Sequence, residues 1–373
     1  MSRIDDILTQ LETISRNPRA QLDACLAAGK KAVGVMPYFC PEELVYAAGM
    51  QPFGLWGADM VCDQSRRYYP AFICSILHSV LELGITGKLA GLSAIMIPFS
   101  CDSLKGMATN WEVSVKDIPV INVAYAQNRK IDAGTEFTAS QLRKIRGQLA
   151  EIAGREITDA DIAAAVEVYN ADRAAIIAFA DAAGKHPKLV PAAKRSAVIK
   201  AGFFMDRAEH AKLLTELAEL LAAEPEDRGY IRVVTTGILA DSPALLEIFE
   251  ENRICIAADQ IAAESVDART LTPVTEDPII GMAERYGKLE GCSILFDPGK
   301  QRGKELVELA KRAGAEGIIW VMTKFCDPEE YDFVPVKRMA DAAGIRVLSL
   351  EVDRQMVNYE QIRSAVQAFA EMC

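Results

Sequence analysis

The chain has 373 residues, half of them hydrophobic and a quarter charged, with a formal net charge of −11. That is enough sequence for two or three packed units. The acidic balance, with no basic run longer than pairs such as Lys30-Lys31 and Arg66-Arg67, argues against nucleic acid or an anionic membrane as the main partner.

At the amino terminus, MSRIDDILTQLETI is acidic and amphipathic, unlike a basic segment leading into an apolar signal core. No apolar run reaches the roughly 18 residues that span a bilayer, so a cytoplasmic protein is expected. Up to about residue 130, β-rich runs (KAVGVMP, QPFGLWG, LSAIMIPF, PVINVAY) alternate with helical stretches (PEELVYAAG, CSILHSVLELG, SLKGMATNWEVSV). This is the pattern of a parallel sheet covered by helices. From 131 to 225 the strand signals vanish, and Ala-rich segments with three- and four-residue apolar spacing predict helices throughout. Thr158 with Asp161 three residues on reads as a capped start, and Gly184 followed by Pro187 as a stop. After EPEDRGY the alternation resumes: IRVVTTGIL, ICIAADQI, CSILFD, GIIWVMTK and IRVLSLEV read as strands between helices. The expected fold is α/β, with two parallel-sheet lobes of Rossmann-like or flavodoxin-like type at 1–130 and 226–373 and a helical region over 131–225.

Both lobes repeat a local plan. LSAIMIPFSCDSLKGMATNW and GIIWVMTKFCDPEEYDFVPV each run buried strand, Cys-Asp, helix start, and KAVGVMPYFCPEELVYAAGM does nearly the same. Cys101, Cys326 and Cys40 should therefore face crevices beyond the carboxyl ends of parallel strands, where helix amides point. A thiolate there is favoured by the helix dipole and serves as a nucleophile or metal ligand. The plain alternative is a cysteine that simply packs.

Nine cysteines, odd in number and scattered, suit thiols, ligands or core fillers in a reducing compartment. A Cys-His dyad finds little support, since His186 and His210 lack a strand-end partner and His78, four residues after Cys74, reads more readily as packed than as paired. Zinc-type CxxC clusters and ferredoxin spacing are absent, but thiolates drawn from distant loops suit an iron-sulfur cluster. Neither a Gly-x-x-x-x-Gly-Lys-Ser/Thr loop nor GxGxxG after a strand is present; GKQRGKE has the wrong spacing. Energy input from ATP would have to come from a partner.

The stretches PYFCPEELVYAAGMQPFGLWG, YYPAFICSILHSVLELG, IPFSCDSLKGMATNW, QNRK, TTGILADSPALLEIFEEN, IAADQIAAES and MTKFCDPEEYDFVPVKRMADAAGI, followed by EVDRQ and EQIRSAVQAFAEM, resemble the beta subunits of the (R)-2-hydroxyacyl-CoA dehydratases. Benzoyl-CoA reductase subunits belong to the same superfamily. The resemblance covers essentially the whole chain in order. It implies one 4Fe-4S cluster held by Cys74, Cys101 and Cys326, and it demotes Cys40 to a pocket-lining residue. Cys25, Cys62, Cys255, Cys292 and Cys373, in helix, loop, strand, strand and tail, read as core or incidental. Tyr125-Ala126 stands where relatives commonly have His-Pro, and Gln260-Ile261 where an acidic residue is usual, so both are expected on the substrate side.

The resemblance further implies syn-elimination of water from a 2-hydroxyacyl-CoA to the (E)-2-enoyl-CoA through a ketyl radical, in amino-acid fermentation. The electron would come from a transient ATP-hydrolysing iron-sulfur activator and be returned at the end. A homologous alpha subunit would carry the catalytic cluster and most of the thioester pocket, leaving this chain's cluster as relay or reservoir and no general base assigned here. The alternatives are a subunit of an ATP-dependent aryl-CoA reductase of the benzoyl-CoA type, a double-cubane cluster reductase, and a scaffold without a cluster.

Overall fold

A computed structural model describes residues 2–36 and 39–373. Pro37 and Tyr38, which open the PYFC stretch, lie outside the described residues. After α1 (Arg3–Arg16) and α2 (Pro18–Ala27), the first lobe runs β1 (Ala32–Val35), α3 (Glu42–Ala47), β2 (Gln51–Gly54), α4 (Ser75–Ile85), β3 (Leu92–Pro98), α5 (Asp102–Ser114) and β4 (Val120–Val123). Its strands are all parallel in the order β2-β1-β3-β4. Four helices follow: α6 (Asp132–Ala153), α7 (Asp159–Ala183), α8 (Ala192–Ala201) and α9 (Arg207–Ala222).

The second lobe runs β5 (Ile231–Gly237), α10 (Pro243–Glu251), β6 (Ile254–Ile261), α11 (Pro278–Lys288), α12 (Gln301–Arg312), β7 (Gly317–Thr323), α13 (Asp327–Ala342), β8 (Arg346–Val352) and α14 (Glu360–Met372). Its parallel order, β6-β5-β7-β8, repeats that of the first lobe. The central strands β3 and β7 read as nearly continuous apolar runs because helices cover both faces of a parallel sheet. In each sheet the chain reverses its direction of growth once, between β1 and β3 and between β5 and β7, and such switch points open a crevice beyond the strands' carboxyl ends.

One apolar cluster runs through both lobes, taking in Ile97, Leu104 and Trp111 from the first and Leu239, Ile261 and Cys326 from the second. A separate cluster joins Ile7, Leu8 and Leu11 of α1 to Phe179 of α7, Val198 of α8 and Leu214 of α9, so the amphipathic first helix spends its apolar stripe on the helical layer. Thr158 accepts from the Asp161 amide at 3.1 Å while the Asp161 carboxylate accepts from the Thr158 amide at 2.8 Å. This is the capping box that the spacing predicts. Thr158→Ala is expected to lower stability by about 1 kcal/mol, read as a shift in the denaturation midpoint.

CSILFD is a correction: residues 292–297 form a loop, not a strand. Its apolar character comes from Cys292 and Leu295 entering the core shared by the lobes, and a short apolar run cannot by itself separate strand from buried loop. Asp297 ends it by accepting from the amides of Gly299, at 3.0 Å, and Gln301, at 2.5 Å, a turn that leads into α12.

Candidate functional site

Two of the strand-Cys-helix connections meet across the lobes. β3 ends at Pro98, and Phe99-Ser100-Cys101 leads into α5; β7 ends at Thr323, and Lys324-Phe325-Cys326 leads into α13. Cys74 arrives from a long loop at the start of α4. All three cysteines occupy the N-cap position of their helices, and all three line one cavity of about 720 Å³. Its walls come from both lobes: Phe99, Tyr125 and Lys105 on one side, Tyr286, Ser293 and Lys300 on the other.

The turn carrying Cys326 is held by its own sequence. Phe325 sits in the left-handed region at φ 61°, a conformation that costs an L-residue roughly 1–2 kcal/mol and clusters at functional sites. The Cys326 amide donates to Thr323 O at 3.0 Å, and the Glu329 amide to Cys326 O at 2.9 Å. Glu329, fully buried, accepts from the Thr323 amide at 3.0 Å and from the Trp320 indole at 3.0 Å, so its carboxylate laces the end of β7 to the first turn of α13. Gly237 at the end of β5 lets the backbone of β7 come close beside this turn, because a Cβ there would stand 2.2 Å from Val321 O. Phe39, before Cys40, takes the same left-handed conformation at φ 70°.

Electrostatics differ from the expectation of activated thiols. Burial pushes the Cys74 thiol up to about 12, against the pull of the Ile76 and Leu77 amides. Cys101 is raised by burial, opposed by the amides of Leu104 and Ser103. Cys326 is raised furthest, by burial and then by the Glu329 carboxyl. Desolvation outweighs the helix termini, so in the metal-free chain the thiols are protonated at neutral pH and poor nucleophiles. A bound metal would reverse this, because coordination itself drives the thiol proton off. Burial also lifts Glu329 to about 7. Among the described residues no group of three or more His, Cys, Asp or Glu forms a site for a single metal ion. None of their helices is long and apolar enough to cross a membrane.

The model of the family described as 2-hydroxyglutaryl-CoA dehydratase, D-component, matches residues 37–373. The chain belongs to this family. It is similar to the (R)-phenyllactyl-CoA dehydratase beta subunit of Clostridium sporogenes at 44% identity over 373 residues, all of both chains. It is also similar to the (R)-2-hydroxyglutaryl-CoA dehydratase beta subunit of Acidaminococcus fermentans at 38% over 99% of both chains. A benzoyl-CoA reductase subunit of Thauera aromatica is a more distant relative, 26% identical over 80% of this chain and 79% of its own.

As a member of the dehydratase family the chain is part of an enzyme, and of the remaining sequence candidates Tyr125 lines the cavity while Cys40, His78, Ala126, Gln260 and Ile261 do not. Cys40 does not line it; its thiol faces Met96 O at 3.7 Å and borders two small neighbouring cavities of about 50 and 20 Å³. His78 is a satisfied core residue, with Ser65 Oγ at 3.1 Å from Nδ1 and Pro70 O at 3.2 Å from Nε2, which leaves no ring nitrogen for Cys74. Tyr125 does reach the cavity, where it stacks on Tyr286 across the lobes with centroids 3.9 Å apart and donates to Phe39 O. Gln260 and Ile261 do not line it: Gln260 is buried, its amide 3.5 Å from Arg302 O and its oxygen facing Thr236. Glu329, Ser293 and Tyr286 went unread in the sequence; of these only Glu329, inside KFCDPEEYD, had a local signal.

Proposed function

We propose that this chain is the beta subunit of an (R)-2-hydroxyacyl-CoA dehydratase and holds one 4Fe-4S cluster on Cys74, Cys101 and Cys326. The observation that carries the reading is the convergence of three N-cap cysteines from both lobes on one cavity, in a chain of this family. The donor set fits the group. Thiolates are soft ligands of the kind iron-sulfur clusters take, and sulfurs spread around a wide cavity suit a group with several irons rather than a single ion. The anionic cluster would also lie against the amide ends of α4, α5 and α13. With three protein ligands, one iron is left for a non-protein ligand.

When bound, the cluster would store or relay a low-potential electron between an ATP-hydrolysing activator and the substrate. The chain's own residues do the rest: Glu329 and the left-handed Phe325 fix the Cys326 loop, and Phe99, Tyr125, Tyr286 and Phe325 line the cavity with rings that limit water. The acyl-CoA substrate and the catalytic cluster belong mainly to a homologous alpha subunit. One-electron reduction of the thioester carbonyl to a ketyl expels the hydroxyl and acidifies the β-proton, and the electron is recovered at the end.

The test is anaerobic co-purification with the proteins encoded alongside, then iron and sulfide analysis and turnover of a panel of 2-hydroxyacyl-CoA thioesters. Dehydration with catalytic amounts of reductant is expected. A stoichiometric reductant requirement would move the chain to the reductase branch, and a colourless complex without iron would discard the cluster.

A further inference from the structure

Arg354 follows the end of β8 and is 7% exposed. Its guanidinium reaches across to the first lobe: Nη1 pairs with Asp59 Oδ1 at 2.8 Å and Nη2 donates to Trp56 O at 2.9 Å. The same group pairs with Asp241 beyond β5, from Nη1 at 2.8 Å and from Nη2 at 3.1 Å. Its backbone is tied as well. The Arg354 amide donates to Ser75 Oγ at 3.1 Å, and Arg354 O accepts from the Met60 amide at 3.0 Å. Ser75 is the first residue of α4 and directly follows Cys74. Asp241 also accepts from Lys200 of α8 at 2.6 Å, a contact separate from the loop and α4.

Resting on the cluster reading above, we propose that Arg354 is a positioning residue for the cluster: it clamps the loop before α4 and the start of α4 to the second lobe, and so fixes Cys74 opposite Cys326. The physical case is one of span. Cys101 and Cys326 come from short connections at strand ends, so their sheets place them. Cys74 follows a loop of some twenty residues between β2 and α4, so no strand end places its sulfur; α4 itself ties that loop at Ala58, Ser65 and Pro70, and Arg354 links it to the second lobe. Arg354 binds that loop at Trp56, Asp59 and Met60 and binds α4 at Ser75. The planar fork of a guanidinium can hold two carboxylates and a carbonyl at once, which a lysine ammonium cannot match in geometry. Groups that orient metal ligands in this way tune both retention and electronic state of the metal centre.

Arg354→Ala strips Asp59 and Asp241 of their shared cation and is expected to harm the fold itself, so the test uses Arg354→Lys and Ser75→Ala in the anaerobically purified complex. Lys200→Ala, which loosens Asp241 without touching the loop or α4, is the control. Both test variants are expected to keep the wild-type circular dichroism, to lose iron to a chelator about tenfold faster, and to shift the electron paramagnetic resonance signal of the reduced cluster. Lys200→Ala is expected to match wild type in both readouts. The inference is overturned if Arg354→Lys and Ser75→Ala keep the wild-type iron-loss rate and spectrum, or if Lys200→Ala disturbs both as much as they do. Wild-type complex that holds no iron would instead overturn the cluster reading, and is seen before any variant is compared.

Discussion

Cys326→Ala is expected to reduce the iron bound by this chain to background and to cut dehydration by at least about a thousandfold, since enzymes of this power supply many kcal/mol that a broken electron path forfeits. The fold should survive: the change removes one buried sulfur from a loop still held by Glu329, at a cost of about 1 kcal/mol. Cys74→Ala and Cys101→Ala should give the same loss, because all three line one cavity. Cys40→Ala should not, since its thiol faces Met96 O outside that cavity. Iron analysis and visible absorption of the anaerobic complex, with circular dichroism as the folding control, separate the outcomes. A Cys326→Ala complex with full iron and turnover would remove this thiol from the ligand set.

Why was Cys101 legible from spacing while Cys74 needed a resemblance? A cysteine just after an apolar run and before a helix start is placed by its neighbours, because the strand's carboxyl end and the helix's first turn fix the crevice between them. Cys326 was readable on the same ground. Cys74 sits at the end of a loop that Arg354, some 280 positions away, binds at Trp56, Asp59 and Met60, and no local pattern encodes that contact. Cys40 shows the converse failure. Its local context, down to the left-handed Phe39, matches that of Cys326, yet its crevice opens onto other, smaller cavities.

Strands and long helices were legible for similar reasons. Period and burial agree along β3 and β7, and capping residues mark α7. The segment that becomes α11 is legible on the same ground, with Asp277 accepting from the Ile279 amide at 2.9 Å and Pro278 in the first turn. CSILFD misled because burial between lobes imitates burial within a sheet. The raised thiol pKa values were out of reach as well, since the competition between desolvation and helix amides is decided by how deeply the lobes bury each sulfur.

Arg173→Met is expected to destabilise the protein by about 3–5 kcal/mol at pH 7, because it leaves a buried carboxylate without its main partner. Arg173 of α7 is 4% exposed and pairs with Glu43 of α3 at 2.6 Å, which joins the helical layer to the first lobe. Burial pushes the Glu43 carboxyl up, but the Arg173 and Arg285 charges outweigh it and hold it below the usual range. A carboxylate lowered in this way contributes stability that is complete above its unfolded value and is lost as pH falls through the folded one. Without Arg173 the sign reverses: the folded Glu43 prefers its proton, so the penalty is full at neutral pH and fades as pH drops toward the unfolded value. The gap between wild type and Arg173→Met should therefore narrow in acid, as read from denaturant midpoints across pH. Glu43→Met added to Arg173→Met removes the stranded charge and should recover most of the loss, since an apolar pair of similar volume often replaces a buried ion pair at little cost. A double variant no more stable than the single one would mean that the penalty comes from lost packing at Tyr169, over whose ring Arg173 lies at 5.5 Å, and not from an unpaired charge.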